Sequence, residues 1–170
     1  MAQVEFDLGD FTNFIGRLKA AAQGEFRKDL ELFIQALGTE FLRIVEDEII
    51  RRNVMDTRLL LGSFHEGGDG NVWEVSDGGL TLEVGTNVQY ASFVNDGHWT
   101  CPKGVEKRFV PGYWSGSRFT YDPGAKGGMV LKQKWVEGKH YWESAIRIFN
   151  KIFPELLEAK MQQWLDNYFS

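Results

Sequence analysis

The sequence predicts an α+β chain. A small antiparallel sheet, made of an N-terminal strand and a central hairpin, packs against a long central helix and a C-terminal helix, with a long aromatic Gly/Pro-rich loop set between them. Three observations carry this reading. Apolar residues recur at three- and four-residue steps over residues 26–52 and again after residue 141, the spacing of one helix face. Strict alternation appears near the N-terminus and around Asp77-Gly78-Gly79, the period of a strand with one buried side. Between residues 97 and 135 neither period holds, and glycine, proline and aromatic residues crowd together.

In chain order, Val4, Phe6 and Leu8 alternate with Gln3, Glu5 and Asp7 and predict a strand. Gly9-Asp10 ends it, with Asp10 suited to cap a following helix. Phe11, Phe14, Ile15 and Leu18 have helical spacing up to the break at Gln23-Gly24. The long helix buries a stripe of Leu30, Phe33, Ile34, Leu37, Phe41, Ile44, Val45 and Ile49, and turns Glu40, Arg43, Asp47 and Arg51 elsewhere. Burial against a sheet suits this stripe better than a coiled coil, for which it is short. Residues 53–70 form a connection with one helical turn. Val72–Ser76 and Leu80–Gly85 flank Asp77-Gly78-Gly79 as a hairpin whose glycines supply the positive φ of the turn. A short helix over Val88–Asn95 closes at Asp96-Gly97. Trp142, Ala145, Ile146, Phe149, Ile152 and Phe153 begin a terminal helix that Leu156, Leu157, Met161, Trp164, Leu165 and Phe169 continue. Pro154 predicts a bend near Phe153 or the start of a second helix.

The totals set the class. With 170 residues, 43% apolar and 25% charged, the chain fits a single globular domain spanning 1–170, with 97–135 as an extended loop insertion. The sole cysteine, Cys101, allows no intrachain disulfide, as expected of folding in a reducing cytosol. The start, MAQVEFDLGDF, has neither a basic n-region nor an apolar h-region, so no signal peptide is expected. No apolar run of about 18 residues predicts a membrane span.

The net charge of −5 is unevenly spread: residues 1–96 carry 8 basic and 17 acidic side chains, and residues 97–140 carry 8 basic and 3 acidic. The acidic total argues against general nucleic-acid binding. The basic middle segment suits an acidic partner, including the acidic part of a neighbouring copy.

Candidate chemistry is weak. His98-x-x-Cys101 has ligand spacing, and His65 and His140 are the other histidines. A closed zinc site wants four ligands in a paired pattern, which is not present. Cys101 with a histidine makes a thin case for a nucleophilic dyad, and Ser115 in Trp114-Ser-Gly-Ser-Arg118 lies outside a strand-to-helix elbow. No catalytic residue, metal ligand or cofactor is assigned, and the chain is not expected to be an enzyme. The loop aromatics Trp99, Phe109, Tyr113, Trp114, Phe119, Tyr121 and Trp135 suit either stacking on a partner or anchoring the loop.

The order of elements, with the block Val84-Gly-Thr-Asn-x-x-Tyr-Ala-Ser-Phe-Val-x-x-Gly-His98, the step Trp135-Val-Glu-Gly138 and the Thr57–Ser63 stretch, resembles the tail-completion, or tail-component, proteins of long-tailed bacteriophages and prophages. These are neck proteins that cap the tail tube and join it to the head. The resemblance implies a structural virion subunit that forms a ring, a hexamer matching the tube. It implies contacts with copies of itself, the tail-tube protein and the head-tail connector or stopper. Genome DNA passes through such a ring without sequence-specific binding, and the implied place is the virion neck, after assembly in the host cytoplasm. A ring needs a heterologous interface. Lys103, Lys107 and Arg108, with Trp99, Tyr113 and Trp114, are the candidate interface residues. The alternatives are an aromatic-loop module that grips a carbohydrate or cell surface, and a small zinc hydrolase using His98, Cys101 and a further histidine.

Overall fold

The computed structural model describes residues 16–17, 24–54 and 58–169. The expected N-terminal strand over Gln3–Leu8 and most of the short helix that follows lie outside the described residues. The described elements are α1 (Glu25–Arg51), α2 (Arg58–Gly62), β1 (Asn71–Ser76), β2 (Thr81–Thr86), α3 (Ala91–Asp96), β3 (Gly97–Trp99), β4 (Lys107–Ser115), β5 (Arg118–Tyr121), β6 (Gly128–Lys132), β7 (Trp135–Glu137) and α4 (Tyr141–Phe169). The chain is thus α+β, with small antiparallel sheets, a long central helix and a long terminal helix. These elements divide into two compact units. The first holds the described residues up to Val88 and those from Tyr141 onward, and the second is Gln89–His140.

In the first unit, α1 and α4 run antiparallel, locked by an aromatic seam. Phe26 and Phe33 meet Trp164 edge-on at 5.0 and 5.7 Å, and Phe41 meets Phe149 and Trp142 at 5.5 and 5.1 Å. The C-terminal half of the α1 stripe, Leu42, Ile44, Val45 and Ile49, is buried with Leu60, Phe64, Tyr141 and Ala145. The sequence stripe therefore found its partner chiefly in the other helix, with the hairpin as a second cover. Helix α4 continues through Pro154 as one helix, so no second helix starts there. Proline removes one backbone hydrogen bond, but both halves of α4 are held on α1 by rings on either side of it, Phe149 and Trp164.

The β1–β2 hairpin forms around the expected turn at Asp77–Gly79, with Trp73 opposite Val84 and Val75 opposite Leu82. Gly38 on α1 explains how the hairpin approaches so closely. A side chain there would meet Leu82 and the Trp73 ring, the latter at 3.1 Å. Ser63 ties the connection to the hairpin. Its carbonyl accepts from Asn71 Nδ2 at 3.0 Å and its Oγ from Thr86 Oγ1 at 2.7 Å.

Glu48 is a buried charge within this unit, and its carboxylate is met by Arg51 through Nε and Nη2, both at 2.6 Å, and by Arg52 Nε at 3.0 Å. Arg51 above all, then Ser144 and Arg52, hold its carboxyl at about 2 against burial, which would raise it. A depressed folded pKa stabilises the fold above the ordinary value of 4.5 and ceases to do so as pH falls towards 2. Discounted for the exposed side of Arg51, the contribution is about 2 kcal/mol. Glu48→Gln is therefore expected to lower stability by about that amount at neutral pH, with the gap to wild type closing below pH 4.5. Urea midpoints of both proteins at a series of pH values check this.

The second unit differs most from expectation. The segment expected as a long loop holds five strands. β3 pairs with β7, and a three-stranded antiparallel sheet has the order β5–β4–β6. Its glycines and prolines punctuate turns and fill special sheet positions. The short helix also starts later than expected, at Ala91. Gly97 ends it with φ 87° but ψ 168°, which leads straight into β3 and is no left-handed helical cap. Phe93 on this helix is exposed.

Candidate interaction surface

The β5–β4–β6 sheet is the feature that an isolated chain explains least. β4 pairs with β6 through Lys107–Pro111 and with β5 through Gly112–Ser115. The central strand therefore changes partner at Pro111, and each half of it keeps an open edge. This is how a proline, normally confined to sheet edges, sits in the middle strand. Gly116, at φ 61°, forms the β4–β5 turn with Ser117. Asp122 Oδ1 accepts from the Gly124 amide at 2.9 Å to shape the next connection. Two further glycines sit beneath rings. Gly112 lies under Phe119 and Gly128 under Phe109, each with 2.6 Å between the ring and the place a Cβ would occupy.

Alternation and register divide the sheet into two faces. One carries Arg108, Val110, Trp114, Phe119, Tyr121, Met129 and Leu131. The other carries Lys107, Phe109, Tyr113, Arg118, Val130 and Lys132. Both are open. On the second face, Phe109, Tyr113 and Val130 are 58%, 55% and 60% exposed, and on the first Trp114 and Tyr121 are exposed as well. Contiguous apolar exposure of this kind marks an interaction surface.

The structure does not gather the sequence-predicted residues into one patch. Lys107 and Tyr113 share one face, and Arg108 and Trp114 take the opposite one. Trp99 lies on β3, its ring 5.5 Å from that of Trp135. Lys103 lies in the turn that the Val105 amide closes on the Pro102 carbonyl. Trp99, Lys103, Arg108 and Trp135 do line one shallow cavity of about 460 Å³. Val130, Arg118 and Lys132 were not among the predicted residues, and Phe109 and Tyr121 were named only among the loop aromatics. Their placement depends on strand register, which the sequence of this segment does not signal, since Met129, Val130 and Leu131 are apolar in succession.

The candidate catalytic groups engage the backbone. Cys101 is buried and its thiol donates to the Leu131 carbonyl at 3.4 Å. His98 Nδ1 lies 3.3 Å from the Phe93 carbonyl oxygen. Ser115 pairs with Arg118 beside the tight turn. Among the described residues no helix is long and apolar enough to cross a membrane.

Comparison with known proteins adds three findings. Residues 12–97 match a family model described as "Bacteriophage HK97-gp10, putative tail-component". The chain is 48% identical over 148 residues to the phage-like element PBSX protein XkdI of Bacillus subtilis (strain 168), covering 87% of this chain and 91% of that protein. It is 46% identical over 159 residues to the protein YqbI of the same organism, described as uncharacterized, covering 92% of this chain and 95% of that protein. No solved structure matches the chain significantly. The family match ends at Gly97, the first residue of β3.

Proposed function

Because the chain belongs to the HK97-gp10-like family of bacteriophage tail components, we propose that it is the tail-completion subunit, a structural part of the virion neck that forms a ring on the tail tube and joins it to the head-side connector. The two units act together as one subunit with no catalytic role. The first supplies a rigid helical frame, and the second presents the contact sheet. The observation that carries this reading is the sheet itself. Three strands with large apolar side chains exposed on both faces need partners on both sides, which a subunit between like neighbours and tail proteins has.

The ring is a hexamer matched to the tube, assembled in the host cytoplasm. Its partners are further copies, the tail-tube protein and the connector or stopper, and DNA passes through without sequence-specific contact. The basic second unit and the acidic first unit supply opposite charge for a heterologous contact between neighbours. Lys103, Lys107 and Arg108, with Trp99, Tyr113 and Trp114, contribute to the interfaces from both faces of the second unit. Glutamate at Lys103, Lys107 and Arg108 together is expected to weaken incorporation into tails on the order of tenfold at moderate salt. Quantitative blotting of purified particles measures it. Negative-stain imaging of tails made with and without the protein tests the reading as a whole. Unaltered tail ends and normal joining in its absence would reject it.

A further inference from the structure

Two like-charge pairs stand directly opposite each other in this chain's sheets, and they have opposite signs. In the hairpin, Glu74 faces Glu83 across β1 and β2. In the three-stranded sheet, Lys107 faces Lys132 across β4 and β6. Like charges at such positions destabilise a sheet, with Cβ atoms about 5 Å apart. All four residues are exposed. Among the described residues no ion pair within its own unit offsets either pair.

The residues beside each pair continue the correspondence. Same-face neighbours along a strand are two residues on, roughly 7 Å away. Next to the glutamates come Val72 and Gly85, and next to the lysines come Phe109 and Val130. Both faces therefore read as a charged pair followed by an apolar pair at the same pitch. Gly85 sharpens the point. The structure places it inside β2 without the left-handed φ seen at nine other glycines. A Cβ there would meet nothing within 4 Å. No neighbour among the described residues requires a glycine at this position, and the backbone lies bare beside the carboxylates. Phe109, by contrast, carries a ring that lies over Gly128 of its own sheet with its outer side open, 58% exposed.

We propose that the outer face of the β1–β2 hairpin of one copy docks on the Lys107–Phe109 face of the β5–β4–β6 sheet of the next. Glu74 and Glu83 meet Lys107 and Lys132, and the open side of the Phe109 ring rests against the bare backbone at Gly85. The occupant of the sheet face is a second copy of this chain, because the complement in charge and pitch is carried on the chain itself. The two patches are different, so the contact is heterologous and repeats from copy to copy. The inference rests on the ring reading and adds which surfaces form its joint.

The test mixes isotope-light and isotope-heavy full-length chains and assembles them on tails lacking the protein. A water-soluble carbodiimide then joins carboxylates to amines in direct contact. Mixed-label peptides linking Glu74 or Glu83 to Lys107 or Lys132 are expected. The same links found purely within one label, or links from these glutamates to another virion protein, overturn the proposal. Several copies per tail end joined through other residues also overturn it, while leaving the ring reading intact. A single copy per tail end sinks both. Two variants give an independent reading. Gly85→Val is expected to fold with an unchanged or higher thermal midpoint, since valine suits a strand and has room, and yet to enter tails on the order of tenfold less. Normal incorporation of that variant refutes the docking. The exchange E74K, E83K, K107E and K132E in one chain is expected to restore assembly with itself and exclude wild-type copies. Free mixing with wild type would mean that the charges do not meet across copies.

Discussion

Replacing Trp164 with alanine is expected to lower the stability of the helical unit by about 3–5 kcal/mol, the range for deleting a large buried aromatic. Trp164 is buried near the far end of α4. Its ring takes the edges of Phe26 and Phe33, so its loss unseats two rings on α1 together with its own. Tyr168, 6.0 Å from Phe26, donates to Asp29 at 3.1 Å and is left to hold the end of α4. Trp164→Phe should behave quite differently. The indole Nε1 is buried with no hydrogen-bond partner among the described residues, and an unsatisfied donor costs about 1–3 kcal/mol. Phenylalanine removes that donor while keeping most of the ring contacts, so its net change is expected within about 1 kcal/mol of wild type. Urea denaturation followed by far-UV circular dichroism separates the two variants. Equal losses for both would show that the Nε1 proton has a partner.

The helical unit was largely legible in the sequence because its elements are long and locally determined. The α1 stripe, the turn after residue 57 and the hairpin around Asp77-Gly78-Gly79 each depend on neighbours within a few residues, and the expected limits agree with the structure to within a few residues. Reading the terminal helix through Pro154 needed knowledge of what lay on both sides of the proline. The second unit was opaque for a physical reason. Its strands are short, and its glycines look like breaks when they in fact make room for Phe109 and Phe119. Pro111 argued against a central strand until the change of partner at that residue was visible. The interface residues suffered likewise. Composition showed that 97–140 was basic and aromatic, but Lys107 and Arg108, adjacent in sequence, lie on opposite faces of the sheet, and only the pairing brings Lys132 beside Lys107.

That dependence on pairing leads to a second large effect. Gly112→Val should dismantle the three-stranded sheet and spare the helices. A Cβ at Gly112 would run into the Thr120 carbonyl oxygen and lie 2.6 Å from the Phe119 ring. The residue also takes φ 155°, which a β-branched side chain resists. The carbonyl is backbone of the paired strand, so it moves only if β5 leaves β4. The expected cost is about 3 kcal/mol, at the upper end for forcing volume into a packed place. In so small a sheet that is enough to unpair it. Core contacts of the first unit, such as Phe41 with Phe149 and Phe33 with Trp164, do not involve these strands. Hydrogen exchange should therefore show lost protection across residues 107–132 and retained protection across 25–51. If protection disappears from α1 as well, the two units fold as one cooperative body, and the sheet is then part of the subunit's core. If it disappears from the sheet alone, the variant keeps its frame and loses its contact surface. Tails made with it should then resemble tails made without the protein.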